Sequence, residues 1–182
     1  ISTMLDPLPI GDDWALLSDG SIAVLKGRDY HVEVITPDGT RSTGLKIPFD
    51  WQRVTDDDRS ALIDSIRGDG EATRAAARPP GGAAPVLPPI LVVSPNELPD
   101  YRPPFRAGNA RGDAEGRLWV QTTAPKPPNG GLLVDVITAK GELADRFELP
   151  IGRRLLAVGP NRTLILVAHD STGNYLERAR LP

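Results

Sequence analysis

Short segments of alternating apolar and polar residues recur along the chain, and glycine-containing turns separate them. Residues 14–25 predict a β-hairpin, because period-two alternation is typical of strands and an Asp-Gly pair between the two arms suits a tight turn. The β-branched run at residues 31–36 predicts the next strand. Residues 44–48, with Leu45 and Ile47 on one face, predict a fourth, so we expect a four-stranded antiparallel meander here.

The same order of segments returns in the second half of the chain. Residues 114–120 match residues 18–24 at an offset of 96 (114 − 18), and residues 134–141 match residues 32–39 at an offset of 102 (134 − 32). A third copy, with room for three strands, occupies residues 155–181. One small twisted sheet cannot bury both of its faces alone, so such repeats pack face to face. The sequence therefore predicts a mainly β fold with two full meanders and one partial meander.

One of these segments carries a family resemblance. Residues 113–120 read Asp-Ala-Glu-Gly-Arg-Leu-Trp-Val, and they are followed by Val-Asp-Val-Ile at 134–137 and Gly-Glu-Leu at 141–143. This phrase resembles a blade of the bacterial six-bladed β-propellers of the NHL and TolB-like type, and the likeness covers residues 13–48 and 105–182. The resemblance implies meanders packed as blades, a chain that forms the C-terminal part of a propeller, and an extracytoplasmic location, periplasmic or secreted.

The number of blades departs from the family pattern, because a closed propeller has at least four. An unclosed set leaves sheet edges and an apolar sheet face uncovered, and such surfaces pair with other chains. We therefore expect either another protein chain or further N-terminal blades to cover them. A small β-sandwich built from the same hairpins is the alternative fold.

A helix is predicted between the first two meanders. Thr55 can cap its first turn together with Asp58, and the acidic residues 56–58 suit the positive end of the helix dipole. Gly68 and Gly70 predict the end of a short helix, since glycine commonly terminates helices.

Proline dominates residues 78–105 and predicts an extended arm, because proline fixes φ and lacks an amide donor. Residues 90–93 are apolar enough for an edge strand or a docking peptide. We accordingly divide the chain into a first meander (residues 1–50), a helix with a proline-rich insertion (51–104) and the later meanders (105–182), all in one structural unit.

Composition excludes several partners. The chain has 182 residues, with 21 Lys and Arg against 24 Asp and Glu, and its net charge of −3 removes the electrostatic basis for nucleic-acid binding. It has no cysteine and no apolar segment near the ~20 residues that span a bilayer, so we expect no thiolate site and no membrane span. The start at Ile1, without methionine or a signal-peptide pattern, indicates a removed leader, a larger N-terminal portion or a start inside a domain.

His31 and His169 are the only histidines and, with Glu33 and Asp170, the weak candidates for a metal site. Their spacing matches no metal-ligand motif, so we predict no metal there. The sequence also has no recognisable nucleophile–base pair and no Gly-rich phosphate loop, so we predict no catalytic residue and no cofactor, and the sequence favours a protein that is not an enzyme. The alternative is a metal-dependent propeller hydrolase or lyase, in which His31, Glu33, Asp135 and His169 would be tested first.

The leading hypothesis is a non-catalytic protein-binding or scaffold module, such as an accessory subunit of a larger assembly. Aromatic and arginine side chains are common interface anchors, and those on the stiff arm are the strongest candidates. The predicted interaction residues are Ile90, Leu91, Tyr101, Arg102, Phe105 and Arg106, together with Trp14 and Trp51.

Overall fold

The structure, a computed structural model, describes residues 4–76, 91–124, 130–170 and 173–181. These residues form one α-helix, α1 (Asp56–Ala76), a 3-10 turn (Pro95–Glu97) and thirteen strands. The strands are β1 (Met4–Leu5), β2 (Asp13–Leu16), β3 (Ile22–Lys26), β4 (His31–Ile35), β5 (Arg41–Thr43), β6 (Leu91–Val92), β7 (Phe105–Gly112), β8 (Leu118–Thr122), β9 (Leu132–Ile137), β10 (Leu143–Leu149), β11 (Arg153–Gly159), β12 (Thr163–Asp170) and β13 (Gly173–Arg180). The predicted mainly β class, with antiparallel meanders and one helix, is confirmed.

The chain divides into two compact units, one of Ile1–Pro9 with Arg53–Arg102 and one of Ile10–Gln52 with Pro103–Pro182. The larger unit contains three antiparallel sheets, and each follows the chain order of its strands. We name them the first sheet (β2-β3-β4-β5), the second sheet (β7-β8-β9-β10) and the third sheet (β11-β12-β13).

Four hairpins of the first and second sheets share one five-residue turn, at residues 17–21, 36–40, 113–117 and 138–142. In each, the first amide donates to the fifth carbonyl, and the amide of the fourth residue donates back to the first carbonyl. That fourth residue is always glycine, with φ between 77° and 85°, where a side chain would be strained. Equivalent turns are 96 (113 − 17) and 102 (138 − 36) residues apart, which are the offsets found in the sequence.

The three sheets stack face to face. Alternate residues of β8 point to opposite sides, so Leu118 and Val120 pack with the first sheet while Trp119 packs with the third. The first and second sheets enclose one apolar cluster, and the second and third sheets enclose another. The larger unit is therefore a row of three sheets, and not the two-sheet sandwich that was the alternative prediction.

The last strand of the first sheet differs from the prediction. The amide of Gly44 donates to the carbonyl of Val32, and the amide of Ile47 donates to the carbonyl of Tyr30, at 2.8 Å each. The chain therefore advances three residues, from 44 to 47, opposite two residues of β4, from 32 to 30. A regular ladder advances two residues on both strands, and the extra residue reverses the side-chain alternation. Ile47 is buried, whereas Leu45 is 81% exposed. The prediction that they share a face was wrong, and the regular strand is β5.

The helix is also longer than predicted. Thr55 caps it as expected: its hydroxyl accepts from the Asp58 amide (3.1 Å), and the Asp58 carboxylate accepts from the Thr55 amide (3.0 Å). However, α1 continues through Gly68 and Gly70 to Ala76, so the prediction of a short helix was wrong. Neither glycine has the positive φ that terminates a helix, and glycine inside a helix costs only about 1 kcal/mol relative to alanine.

In the smaller unit, β6 pairs in parallel with β1, joining Met4 to Leu91, and an isolated bridge joins Arg53 to Tyr101. The predicted edge strand is therefore confirmed for Leu91 and Val92. Ile90 and the preceding part of the predicted arm lie outside the described residues. In the part of the chain that the structure describes, no helix is both long and apolar enough to cross a membrane.

Candidate interaction surface

The first sheet buries one face against the second sheet and leaves apolar residues on its other face. Cross-strand pairing places three residues of this uncovered face in one row and three in the next. We call this surface the first outer face; its rows on β2, β3 and β4 are Trp14–Val24–Glu33 and Leu16–Ile22–Ile35, and pairing with β5 continues them to Thr43 and Arg41. Trp14 is 64% exposed, Leu16 62% and Ile22 38%. A strand that is apolar on both faces is typical of a sheet that is covered on both sides.

The second sheet has two equivalent rows, with different residues, on the face that it buries against the first sheet. There, pairing aligns Ala110–Val120–Asp135 and Gly112–Leu118–Ile137. These positions follow those of the first outer face at the two sequence offsets. In the second sheet, Ala110, Val120 and Ile137 are at most 5% exposed. The first outer face is thus the repeat equivalent of a face that another sheet covers.

A buried carboxylate joins the first and second sheets. Asp135 is fully buried; its carboxylate accepts a hydrogen bond from the Tyr30 hydroxyl (2.7 Å) and two from the Arg146 guanidinium (2.6 and 2.8 Å). Burial, followed by the charge of Asp135 and this hydrogen bond, raises the pKa of Tyr30 well above its ordinary value. The hydrogen bond to Asp135 raises the pKa of Arg146. The hydroxyl therefore stays protonated as a donor, and the guanidinium stays charged.

The edges of these two sheets also meet, through hydrogen bonds from backbone amides to a carboxylate and through a close approach of the two backbones. The Asp13 carboxylate on β2 accepts from the amides of Asn109 and Ala110 on β7, both at 2.8 Å. Nearby, a Cβ atom on Gly112 would lie 2.2 Å from the carbonyl oxygen of Leu16, which is far inside van der Waals contact. Sheet stacking here therefore depends on a buried acid and on a glycine without a side chain.

A second buried acid organises the second sheet itself. The Asp113 carboxylate accepts from the Trp119 indole (2.7 Å) and from the backbone amide and guanidinium of Arg117 (2.8 and 2.7 Å). Burial would raise the pKa of Asp113, but the hydrogen bonds from Arg117 and Trp119 outweigh it and hold the pKa below its ordinary value. These contacts give the Asp, Arg and Trp of the motif at 113–120 a structural role in the second sheet.

The predicted interaction residues fall into different environments. Trp14 lies on the first outer face, and Trp51, 37% exposed, packs edge-on against Phe49 with ring centroids 5.4 Å apart. Phe105 is only 2% exposed and contacts Tyr30 in the core, so it presents no surface to a partner. It belongs to the apolar cluster that the first and second sheets enclose.

The remaining described candidates are three residues of the smaller unit and one residue of β7. Tyr101 is 48% exposed and Leu91 40% exposed, Arg102 is half-buried, and all three belong to the smaller unit. Arg106 is exposed on β7.

The histidines do not form a metal centre within the described residues, where no cluster holds three His, Cys, Asp or Glu side chains. The His31 ring lies 2.9 Å from the Asp29 carboxylate and 3.7 Å from that of Glu33. His169 contacts the Asn174 side chain at 3.1 Å, and Asp170 is exposed at the end of β12. The two histidines thus belong to the first and third sheets, each with its own neighbours.

Sequence reasoning included Trp14 and Glu33 but missed four members of the first outer face: Leu16, Val24, Ile22 and Ile35. The signal was present, because these residues are apolar at the outward positions of strands whose inward positions are also apolar. Comparison of the chain with models of known protein families, with curated proteins and with solved structures finds no match.

Proposed function

We propose that this protein is a non-catalytic protein-binding or scaffold module, in which a partner sheet covers the first outer face as the first sheet covers the second. The apolar rows of this face form the contact surface, and Trp14 is its aromatic anchor. The chain would act as an accessory subunit, or as part of a larger propeller-like assembly.

One observation carries this proposal: the first outer face repeats, row by row, a face that is buried in the same molecule. Apolar side chains at such positions gain roughly 1.5–3 kcal/mol each when they are fully removed from water. The resemblance to bacterial NHL and TolB-like propellers supports stacking of this kind, and it favours an extracytoplasmic location as part of the proposal.

Photo-crosslinking from the face tests the proposal. A photoreactive phenylalanine derivative replaces Leu16, which is 62% exposed on the face. In a matched control it replaces Lys140, which is exposed in the turn at residues 138–142. Both proteins are expressed in the cells that normally make the chain.

We expect irradiation to give a discrete protein adduct from position 16 and none from position 140, since only the face is covered. Equal adduct yields at the two positions, or no adduct at position 16, would contradict the proposal. The mass of the adduct identifies whether the covering chain is another protein or a second copy.

A further inference from the structure

The third sheet has one strand fewer than the other two sheets of the larger unit. In the first and second sheets a fourth strand, β5 or β10, pairs antiparallel with the third strand. In the third sheet β13 is the third strand, and among the described residues no strand pairs with its other edge. The position of a fourth strand is therefore open along β13.

The backbone of β13 directs alternate amide and carbonyl groups to this open edge. The Leu181 amide donates to the Arg162 carbonyl, and in an antiparallel pair only every second residue bonds to the same neighbour. Pairing with β12 runs from Gly173 to Arg180 without a register shift. Counted in this alternation, the residues whose backbone groups point to the open edge are Arg180, Arg178, Leu176 and Asn174. The edge is thus a regular ladder of donors and acceptors.

The side chains beside this ladder are cationic on one face. Leu176, Arg178 and Arg180 lie on the face of the third sheet that turns away from the second sheet, since they pair with the residues of β12 that alternate with its buried ones. Both arginines are exposed, and Arg154 on β11 lies on the same face. Within the described strands β11, β12 and β13, no Asp or Glu shares that face. Charged side chains on an edge strand discourage indiscriminate pairing, so the edge favours a strand of complementary charge.

The second sheet shows what lies opposite Leu176 in a completed sheet. There, Phe147 on β10 lies opposite Val134 on β9 and packs on the apolar cluster that the second and third sheets enclose. Leu176 holds the position of Val134, one residue before the carboxylate, Glu177 or Asp135, that pairs with a buried residue of the second strand. Val134 is fully buried, whereas Leu176 is 68% exposed. An apolar residue of a fourth strand would contact Leu176 as Phe147 contacts the cluster.

We propose that the open edge of β13 binds an extended segment of a partner protein as an antiparallel fourth strand. Acidic residues of this segment lie opposite Arg178 and Arg180, and an apolar residue lies opposite Leu176. From its N-terminus the segment therefore reads acidic, any, acidic, any, apolar. Backbone hydrogen bonds supply affinity, and the alternate side chains supply selectivity. The edge belongs to the third sheet, so this inference goes beyond the proposed function and does not depend on the first outer face.

Fluorescence anisotropy with labelled peptides and the full chain tests the inference. The probe peptide has the sequence of residues 142–150 with Leu143→Glu, which places acids opposite Arg178 and Arg180. A matched peptide has lysine in place of these two acids. Two more peptides carry the probe sequence with one N-methylated amide, either that of the phenylalanine, which faces β13, or that of the next glutamate, which faces away. We expect the lysine peptide and the phenylalanine-methylated peptide to bind at least about tenfold more weakly than the other two.

Two variants of the chain locate the binding site. Arg178→Glu should reverse the preference, so that the lysine peptide binds more tightly than the probe peptide, because the charge beside the ladder changes sign. Arg154→Glu makes the same change on the same face but two strands away from the edge, and it should leave binding unchanged. A reversed preference also shows that the variant is folded.

The contrary results are equally definite. No binding of the probe peptide, equal binding of the probe and lysine peptides, or an equal response of the two variants overturns the inference. Self-association of the chain through β13 in place of peptide binding, seen as a doubled mass in sedimentation, overturns it as well. The crosslink from position 16 reports on a different sheet, so the proposed function stands or falls separately.

Discussion

The buried contact between Tyr30 and Asp135 gives a quantitative test of how the sheets stack. Both residues are fully buried, and the hydroxyl donates across 2.7 Å to an ionised carboxylate. A hydrogen bond to a charged group contributes about 1.5–3 kcal/mol to stability, so Tyr30→Phe should lower the free energy of unfolding by about 2 kcal/mol. With a denaturant slope near 2 kcal/mol per molar urea, the unfolding midpoint should fall by about 1 M.

The same substitution should behave differently when the acceptor is absent. In an Asp135→Ala background the Tyr30 hydroxyl is buried without its partner, so Tyr30→Phe should then cost nothing or should stabilise the protein. Urea unfolding of the four proteins, followed by tryptophan fluorescence, gives the coupling energy, which we expect to be about 2 kcal/mol. An equal cost of Tyr30→Phe in both backgrounds would refute this account of the contact between the first and second sheets.

Three further predictions concern single sites. Gly112→Ala should destabilise the protein by about 1–3 kcal/mol, because its Cβ would meet the Leu16 carbonyl. Gly68→Ala lies in open space on α1 and should stabilise the protein by about 0.5–1 kcal/mol. Thermal unfolding midpoints that shift in the same direction for both variants would contradict this pair of predictions. The pKa of Asp113 is lower in the folded protein than its ordinary value of 3.8. The ionised carboxylate therefore contributes stability above about pH 3.8, and this contribution is lost as the pH falls through the folded pKa. The stability advantage of wild type over Asp113→Asn in urea unfolding should therefore shrink with acidification, and a constant difference would be inconsistent with that charge. Thr55→Ala should lower the free energy of unfolding by about 1 kcal/mol, because the helix loses its N-terminal cap. Helical circular dichroism and a urea unfolding midpoint that both stay unchanged would argue against this role of Thr55.

Local turn chemistry made much of the fold predictable. The glycines at the fourth turn position have positive φ, which few other residues adopt, so hairpins at matched offsets could be found from the sequence alone. The same local rule failed for Gly68 and Gly70, because a glycine signals a helix end only where it takes that conformation. Leu45 was misplaced because an extra residue in the ladder leaves no mark in the alternation pattern.

The candidate surface was predictable only in part, because it depends on contacts between distant residues. Trp14 was identified by residue type, but its row with Val24 and Glu33 follows from strand register. Phe105 looked like an anchor beside arginine and proline, yet its position on β7 places it in the core. Alternation shows that two faces are apolar; which of them is covered depends on the order in which the sheets stack.

Oxidative footprinting of Trp14 tests the covering of the first outer face most directly. Hydroxyl radicals are generated in the cells that make the protein and, separately, in a dilute solution of the purified chain. Trp119, only 1% exposed, serves as the internal reference. We expect oxidation of Trp14, relative to Trp119, to fall severalfold in the cells, because a partner sheet excludes water from the indole. Equal oxidation of Trp14 in both settings would show that nothing binds there.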